Sequence, residues 1–167
     1  SSSSAASDVY KRQGYEHCTI KTGASTLGIR ESRRFSGKYV MNISDLREAR
    51  RFPDVVVHKA QFVVDIHNPV GGGQANGIAE YVDAYDIPWR SLVPQKMENL
   101  ILAGRCISGT HEAMASYRVM AIAMAIGEAA GIGAALAIDH DVTPENLDVK
   151  YIQKALMDKG AVLFDEK

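Results

Sequence analysis

The chain has 167 residues, 46% of them hydrophobic and 23% charged, with a formal net charge of −1. That length suffices for one domain with its own core, at ordinary soluble composition, and the near-neutral charge gives no basic surface for nucleic acid or an anionic membrane. Two cysteines, Cys18 and Cys106, exclude a disulfide framework and a self-contained four-cysteine metal or iron–sulfur site, and they fit a reducing, cytoplasmic setting.

Residues 1–13 run from a serine tract into a stretch with no usable periodicity, and are expected to be a disordered leader or a cloning or sequencing scar. Residues 19–25 and 27–34 predict short strands around a glycine-bearing turn. Ser44 is the expected cap of a short helix, with Asp45 in its first turn and its end near Phe52-Pro53. Residues 55–66 are apolar and β-branched, interrupted by His58-Lys59, and predict one or two strands. Asn68-Pro69-Val70-Gly71-Gly72-Gly73 predicts a loop by turn chemistry. Residues 79–87 alternate weakly as a strand leading into Pro88-Trp89. Glu98-Asn99 opens a turn, residues 100–103 predict a short buried strand, and Gly104-Arg105 ends it. A polar link over 106–115 precedes an Ala-rich helix over roughly 116–138. Residues 119–138 are long enough to span a bilayer. Their small, Ala- and Gly-rich character favours instead a buried helix packed against a sheet or a cofactor. Val149, Ile152 and Leu156 have helical spacing over 148–159, and Gly160 stops that helix.

A buried strand ending in glycine, then a polar turn and a small-residue helix, admits two readings. One is a plain βα crossover. The other is a cofactor edge, since Gly104 lets backbone approach a ring closely. A helix start also offers free N–H groups and partial positive charge to an anionic reduced flavin.

Four stretches carry a resemblance: Pro88-Trp89-Arg90-Ser91-Leu92-Val93-Pro94; Glu98-Asn99-Leu100-Ile101-Leu102-Ala103-Gly104-Arg105-Cys106-Ile107-Ser108; Thr110-His111-Glu112-Ala113; and Ser116-Tyr117-Arg118-Val119-Met120. Together they resemble the C-terminal block of FAD-dependent oxidoreductases of the two-dinucleotide-fold superfamily. Leu27-Gly28-Ile29-Arg30-Glu31-Ser32-Arg33-Arg34, Asp65-Ile66-His67 and the tail over 148–163 are similar to the branch grouped with the heterodisulfide reductase flavoprotein subunit. The resemblance implies an α/β chain: the end of a β-rich substrate domain over 14–92, then the C-terminal portion of an FAD-binding Rossmann-like domain over 93–163. It implies that Gly104, Arg105, Ser116, Tyr117, Arg118, Val119 and Met120 border the isoalloxazine and ribityl end of FAD. The strand-led Gly-x-Gly-x-x-Gly that holds the FAD pyrophosphate in that family is absent, and Gly71-Gly72-Gly73-Gln74 does not replace it. The expectation is therefore a fragment that is inactive alone. Its partners are a missing N-terminal part of the same protein and a small-molecule substrate, with neither nucleic acid nor membrane. Any iron–sulfur cluster would lie in the missing part. The competing reading is a truncated, non-catalytic folding or interaction unit, and a membrane-associated subunit using residues 119–138 is a third.

His67 ends an apolar strand before a glycine-rich loop, a good place for a general base that takes a hydroxyl proton while hydride leaves for the flavin. The plain alternative is a strand-end histidine. His111, beside Glu112 and close in sequence to Gly104-Arg105, is either a substrate- or flavin-orienting group or a helix-start polar residue. Arg30 and Arg34, on one face of the expected strand with Arg33 on the other, hold either a carboxylate or polar sugar group of substrate, or the flavin, or else salt bridges to Glu31 and Glu48. His17, His58 and His140 are expected at the surface, and no pair of histidines has ligand spacing, so no metal is expected. Cys106 lacks a resolving partner and is expected as a packed thiol. Tyr81, Tyr85 and Trp89 form either an aromatic wall near the site or core packing.

Overall fold

A computed structural model describes residues 28–67 and 79–165, together with 22, 23, 25 and 26. The serine-rich leader, His17, Cys18, most of the strand expected over 19–25 and the loop over 68–73 lie outside the described residues.

Asn42 starts the first helix, α1 (Ile43–Arg47). Its side chain accepts hydrogen bonds from the Ser44 and Asp45 amides at 2.9 and 3.3 Å, and the Asp45 carboxylate accepts from the Asn42 amide at 2.9 Å. This reciprocal box satisfies orphan N–H groups at the helix start. The cap is therefore Asn42 rather than Ser44, which sits inside the first turn. The helix stops well before Phe52-Pro53, because Ala49 takes a left-handed φ of 47°. Asp45 is fully buried, and Arg50 and the Tyr39 hydroxyl compensate it at 2.6 and 2.7 Å.

The apolar run after Pro53 forms β1 (Val55–Ala60), paired antiparallel with β2 (Tyr85–Pro88). Val55, Val56 and Val57 are all buried, so both faces of β1 are covered, as a continuous apolar run requires. The ladder shifts register twice, and Lys59 has a φ of 52°. Beyond it an isolated bridge, Val64 to Glu80, continues the pairing. The strand expected over 27–34 is not formed over 28–34. Among the described residues no strand pairs with this segment, and the Arg105 side chain donates to its Ile29 and Arg30 carbonyls. Residues 100–103 are not a strand either: they are half-buried, and Leu102 N–H bonds to Leu92 O at 3.0 Å. Gly104 has φ +76° and opens a 3₁₀ turn, Gly104–Cys106.

The expected single helix after residue 116 is two. α2 (His111–Tyr117) is capped by Thr110, so His111 and Glu112 form its first turn rather than preceding it. α3 (Met120–Asp139) begins after a break at Arg118-Val119. Ile122, Ile126, Ala129, Gly133 and Ala137 recur at helical spacing and face the core. At Gly133 the helix lies so close to the Trp89 indole that an added Cβ would overlap the ring. The opposite face, with Met120, Met124 and Ile138, is 74–83% exposed, so α3 is packed on one side only. α4 (Val149–Asp158) is capped by Asp148 and clamped to the sheet by Gln153, whose amide donates to Pro53 O and Val55 O at 2.9 and 3.1 Å. Gly160, at φ +95°, ends it as its position predicts.

His58 corrects another expectation. Its side chain is 3% exposed, with Nδ1 2.8 Å from Asp86 and Nε2 3.5 Å from Asp165. Asp86, itself buried, also receives Arg51 at 3.0 Å. His140 is exposed and stacks on Tyr151.

Candidate active site

Two carboxylates organise the site. Asp65 lies on the segment beyond β1, two residues before His67. The Arg118 guanidinium, at the break between α2 and α3, donates to the Asp65 carboxylate at 2.9 Å and to its carbonyl at 2.7 Å. His67 Nε2 is 3.1 Å from the same carboxylate oxygen and 3.0 Å from Arg30 Nη1. Arg30 can only donate, and Asp65 can only accept, so the imidazole has two hydrogen-bonded states. With Nε2 bare, it accepts from Arg30. With Nε2 protonated, it donates to Asp65 and leaves the Nδ1 lone pair free.

Glu31 is the second carboxylate. Its two oxygens lie 2.7 and 2.9 Å from His111 Nδ1, and Arg34 Nη1 pairs with one of them. Arg34 is in turn fixed by donating from Nε to Gly109 O at 2.9 Å. Partial burial pushes the Glu31 carboxyl up, but the hydrogen bond and charge of His111 and the charge of Arg34 outweigh it and hold the group below the usual carboxylate range. With Nδ1–H given to Glu31, neutral His111 keeps its lone pair on Nε2.

Both histidines, with Arg30, Glu31, Asp65 and Arg118, line one cavity of about 170 Å³. A second cavity of about 310 Å³ shares Arg30, Asp65 and Arg118 and continues past Phe62 and Arg105 to Val119 and Met120 at the start of α3. Val119 provides no side-chain cap, so side-chain capping does not occupy the first N–H groups of this 20-residue helix. Nearby, Gly104 has nothing within 4 Å of where a Cβ would stand.

His67, His111 and Arg30, widely separated in sequence, are thus brought to one cavity, while Arg34 braces Glu31 from outside the lining. Of the residues expected to border a flavin, Arg105, Arg118, Val119 and Met120 line the larger cavity. Ser116 and Tyr117 do not: both are fully buried. Ser116 Oγ donates to Phe62 O at 2.6 Å and accepts from the Tyr85 hydroxyl at 2.8 Å, and Tyr117 donates to Ile107 O at 3.1 Å. Burial pushes the Tyr85 hydroxyl up to about 12, against the opposing hydrogen bond with Ser116. Tyr85 and Trp89 are core residues and Tyr81 is 85% exposed, so the three do not form a wall. Cys106 donates its thiol to Ala103 O at 3.3 Å. Arg34 realises the pairing with Glu31, whereas Glu48 pairs with Arg50. Sequence reasoning did not single out Asp65 or Phe62 as site residues, and it treated Glu31 only as a salt-bridge partner. Asp65 had a signal, since residues two apart on an extended segment share a side.

A family model described as FAD dependent oxidoreductase matches residues 5–156 of the chain. The chain belongs to that family. No curated protein and no solved structure gives a significant match. Its cofactor is therefore FAD, and the residues present suit the ring end of this group. The larger cavity has a helix start at one end, an unobstructed positive-φ glycine near it and guanidinium groups on its wall. Such a wall favours an isoalloxazine that gains negative charge on reduction. In this FAD-dependent oxidoreductase, Arg105, Arg118, Val119 and Met120 line that cavity and are the candidates for contact with the ring.

Proposed function

We propose that this chain forms the flavin-ring end of an enzyme that oxidises a small hydroxyl-bearing organic molecule, with His67 as the general base. One observation carries the reading: His67, His111 and Arg30 share a small cavity that adjoins, through Arg30, Asp65 and Arg118, the larger cavity at the start of α3. Bound FAD supplies a two-electron hydride acceptor. Asp65 accepts a hydrogen bond from the Nε2–H of His67 and so keeps a bare Nδ1 for the substrate. The substrate carbon loses its hydrogen together with the bonding electron pair, the hydroxyl proton passes to Nδ1, and a carbonyl forms. Arg118 fixes Asp65 and thereby the ring.

The resemblance of residues 27–34 and of Asp65-Ile66-His67 supports placement in the branch grouped with the heterodisulfide reductase flavoprotein subunit. It also supports a division into the end of a substrate domain over 14–92 and a Rossmann-like part over 93–163. No strand-led Gly-x-Gly-x-x-Gly is present in this sequence, so the ADP half of FAD is held by another segment of the protein. One face of α3, with Met120, Met124 and Ile138, is exposed. Glu128 lies on this face and makes it a poor lipid contact.

The test is His67→Gln in the flavin-bound enzyme, read by rapid mixing. Loss of a general base costs roughly 10²–10⁴-fold in rate, so flavin reduction should slow within that range while flavin content is retained. A rate within a factor of two of the parent moves the role to His111.

A further inference from the structure

A third cavity, of about 300 Å³, lies between residues 29–33 and residues 103–106, and it shares Arg30 and Glu31 with the histidine cavity. Arg30, Arg33 and Arg105 line it against a single carboxylate, Glu31. That carboxylate is already engaged by His111 and Arg34. Arg33 and Arg105 make no ion pair with any described carboxylate. Arg105 is nonetheless held in place, because Nη1 donates to Ile29 O at 2.7 Å and Arg30 O at 3.3 Å. A guanidinium oriented by its own backbone contacts and lacking a counter-charge is preorganised for an anion. Ile29, Ala103 and Met114 give the rest of the wall an aliphatic character.

We propose that this cavity binds the carboxylate of the substrate, so that the molecule oxidised at His67 is a short hydroxy-carboxylate; this rests on the reading of the histidine cavity given above. Arg105 and Arg33 hold the carboxylate, and Arg30, which lines all three cavities, draws toward it. Removing Arg30 from His67 Nε2 leaves that nitrogen to Asp65 and puts the lone pair on Nδ1, so substrate binding selects the basic state of the ring. A phosphate source, such as the pyrophosphate of the cofactor, fits less well. Apart from Met114, which lies inside α2, the lining belongs to an irregular segment and one 3₁₀ turn, and no α-helix start of the kind that phosphates favour lines the cavity.

The experiment is an NMR titration of the 167-residue chain, without flavin, against lactate, lactamide and inorganic pyrophosphate. Saturable shifts at Arg105 Nε–H and Ile29 with lactate, at least tenfold weaker binding of lactamide, and about tenfold weaker lactate binding in Arg105→Met are expected. Arg33→Met provides a second variant at an exposed side chain and should weaken lactate in the same direction. No lactate binding, equal binding of lactate and lactamide, or tighter pyrophosphate binding with the same arginine dependence overturns the proposal. Failure of the flavin reading shows separately, as an intact protein that carries no flavin.

Discussion

Gly131 and Gly133 sit two residues apart in α3 and should respond to alanine with opposite sign. At Gly133 the new Cβ would overlap Trp89 Cη2 and stand 2.9 and 3.1 Å from Cζ3 and Cζ2. Trp89 is 4% exposed, and its Nε1 donates to Pro144 O at 3.3 Å, so the ring cannot retreat without loosening that bond. Overpacking of this kind costs about 1–3 kcal/mol, and a weakened indole hydrogen bond adds about 1 kcal/mol. Replacing glycine in a helix interior returns about 1 kcal/mol. The net loss for Gly133→Ala is therefore about 1–3 kcal/mol. Gly131 is exposed with nothing within 4 Å of its Cβ position, so Gly131→Ala keeps only the helical gain, about 0.5–1 kcal/mol. Urea unfolding followed by the fluorescence of Trp89, the single tryptophan of the chain, and by far-ultraviolet circular dichroism measures both. Equal stability of the two variants, with unchanged tryptophan emission in Gly133→Ala, would refute the close packing of α3 on Trp89.

Gly104→Val in the flavin-bound enzyme places a branched side chain at φ +76°, and the flavin-to-protein absorbance ratio should fall while helix content persists; full flavin occupancy would move the ring elsewhere. Glu31, with a folded pKa below its ordinary value, contributes stability that is present above that value and lost as pH falls through the folded pKa. Thermal melts of the parent and Glu31→Gln should therefore differ most near neutral pH and converge toward about pH 3, whereas a constant gap would contradict the pairing with His111 and Arg34. Asn42→Ala should cost about 1 kcal/mol in chemical denaturation by removing the α1 cap, and a neutral result would return the cap to Ser44.

Local chemistry was legible and long-range pairing was not. The β-branched run at Val55–Ala60, the periodicity and glycine stop of α4 and the glycine at residue 104 each act through near neighbours, and each reads from sequence. The break at Arg118-Val119 does not, because its apolar surroundings look like continuous helix and the Arg118 side chain is bound to Asp65, 53 residues away. His58 looked like a surface residue because its partner Asp86 is 28 positions downstream. His67 and His111 were named as candidates from strand and helix ends. Their neighbours were out of reach: Arg30 is 37 positions from His67, and Glu31 is 80 from His111. The arginines at 30 and 34 were read as a strand face, yet one lines the cavities and the other braces Glu31.

The segment over residues 28–36 contains no helix or strand of its own, yet it supplies Arg30, Glu31, Arg33 and Arg34. It is fastened to the far end of the chain by Arg105 to Ile29 O, Arg34 to Gly109 O and the Phe35 amide to Cys106 O at 3.4 Å. Releasing these bonds, with the Gln95 amide from Ser36 O and the pairings of Glu31 with His111 and of Arg30 with His67 and Asp65, would detach half the site while leaving the packing of β1, β2, α3 and α4 intact. The free energy of that local opening, smaller than the global one, then sets an upper bound on how firmly the anion-binding cavity exists in the free protein. A ligand that binds only the closed form lowers the open population by mass action. Amide hydrogen exchange over residues 28–36 would thus slow with occupancy while exchange in α3 stays unchanged, so recognition and the ordering of this strap are one equilibrium.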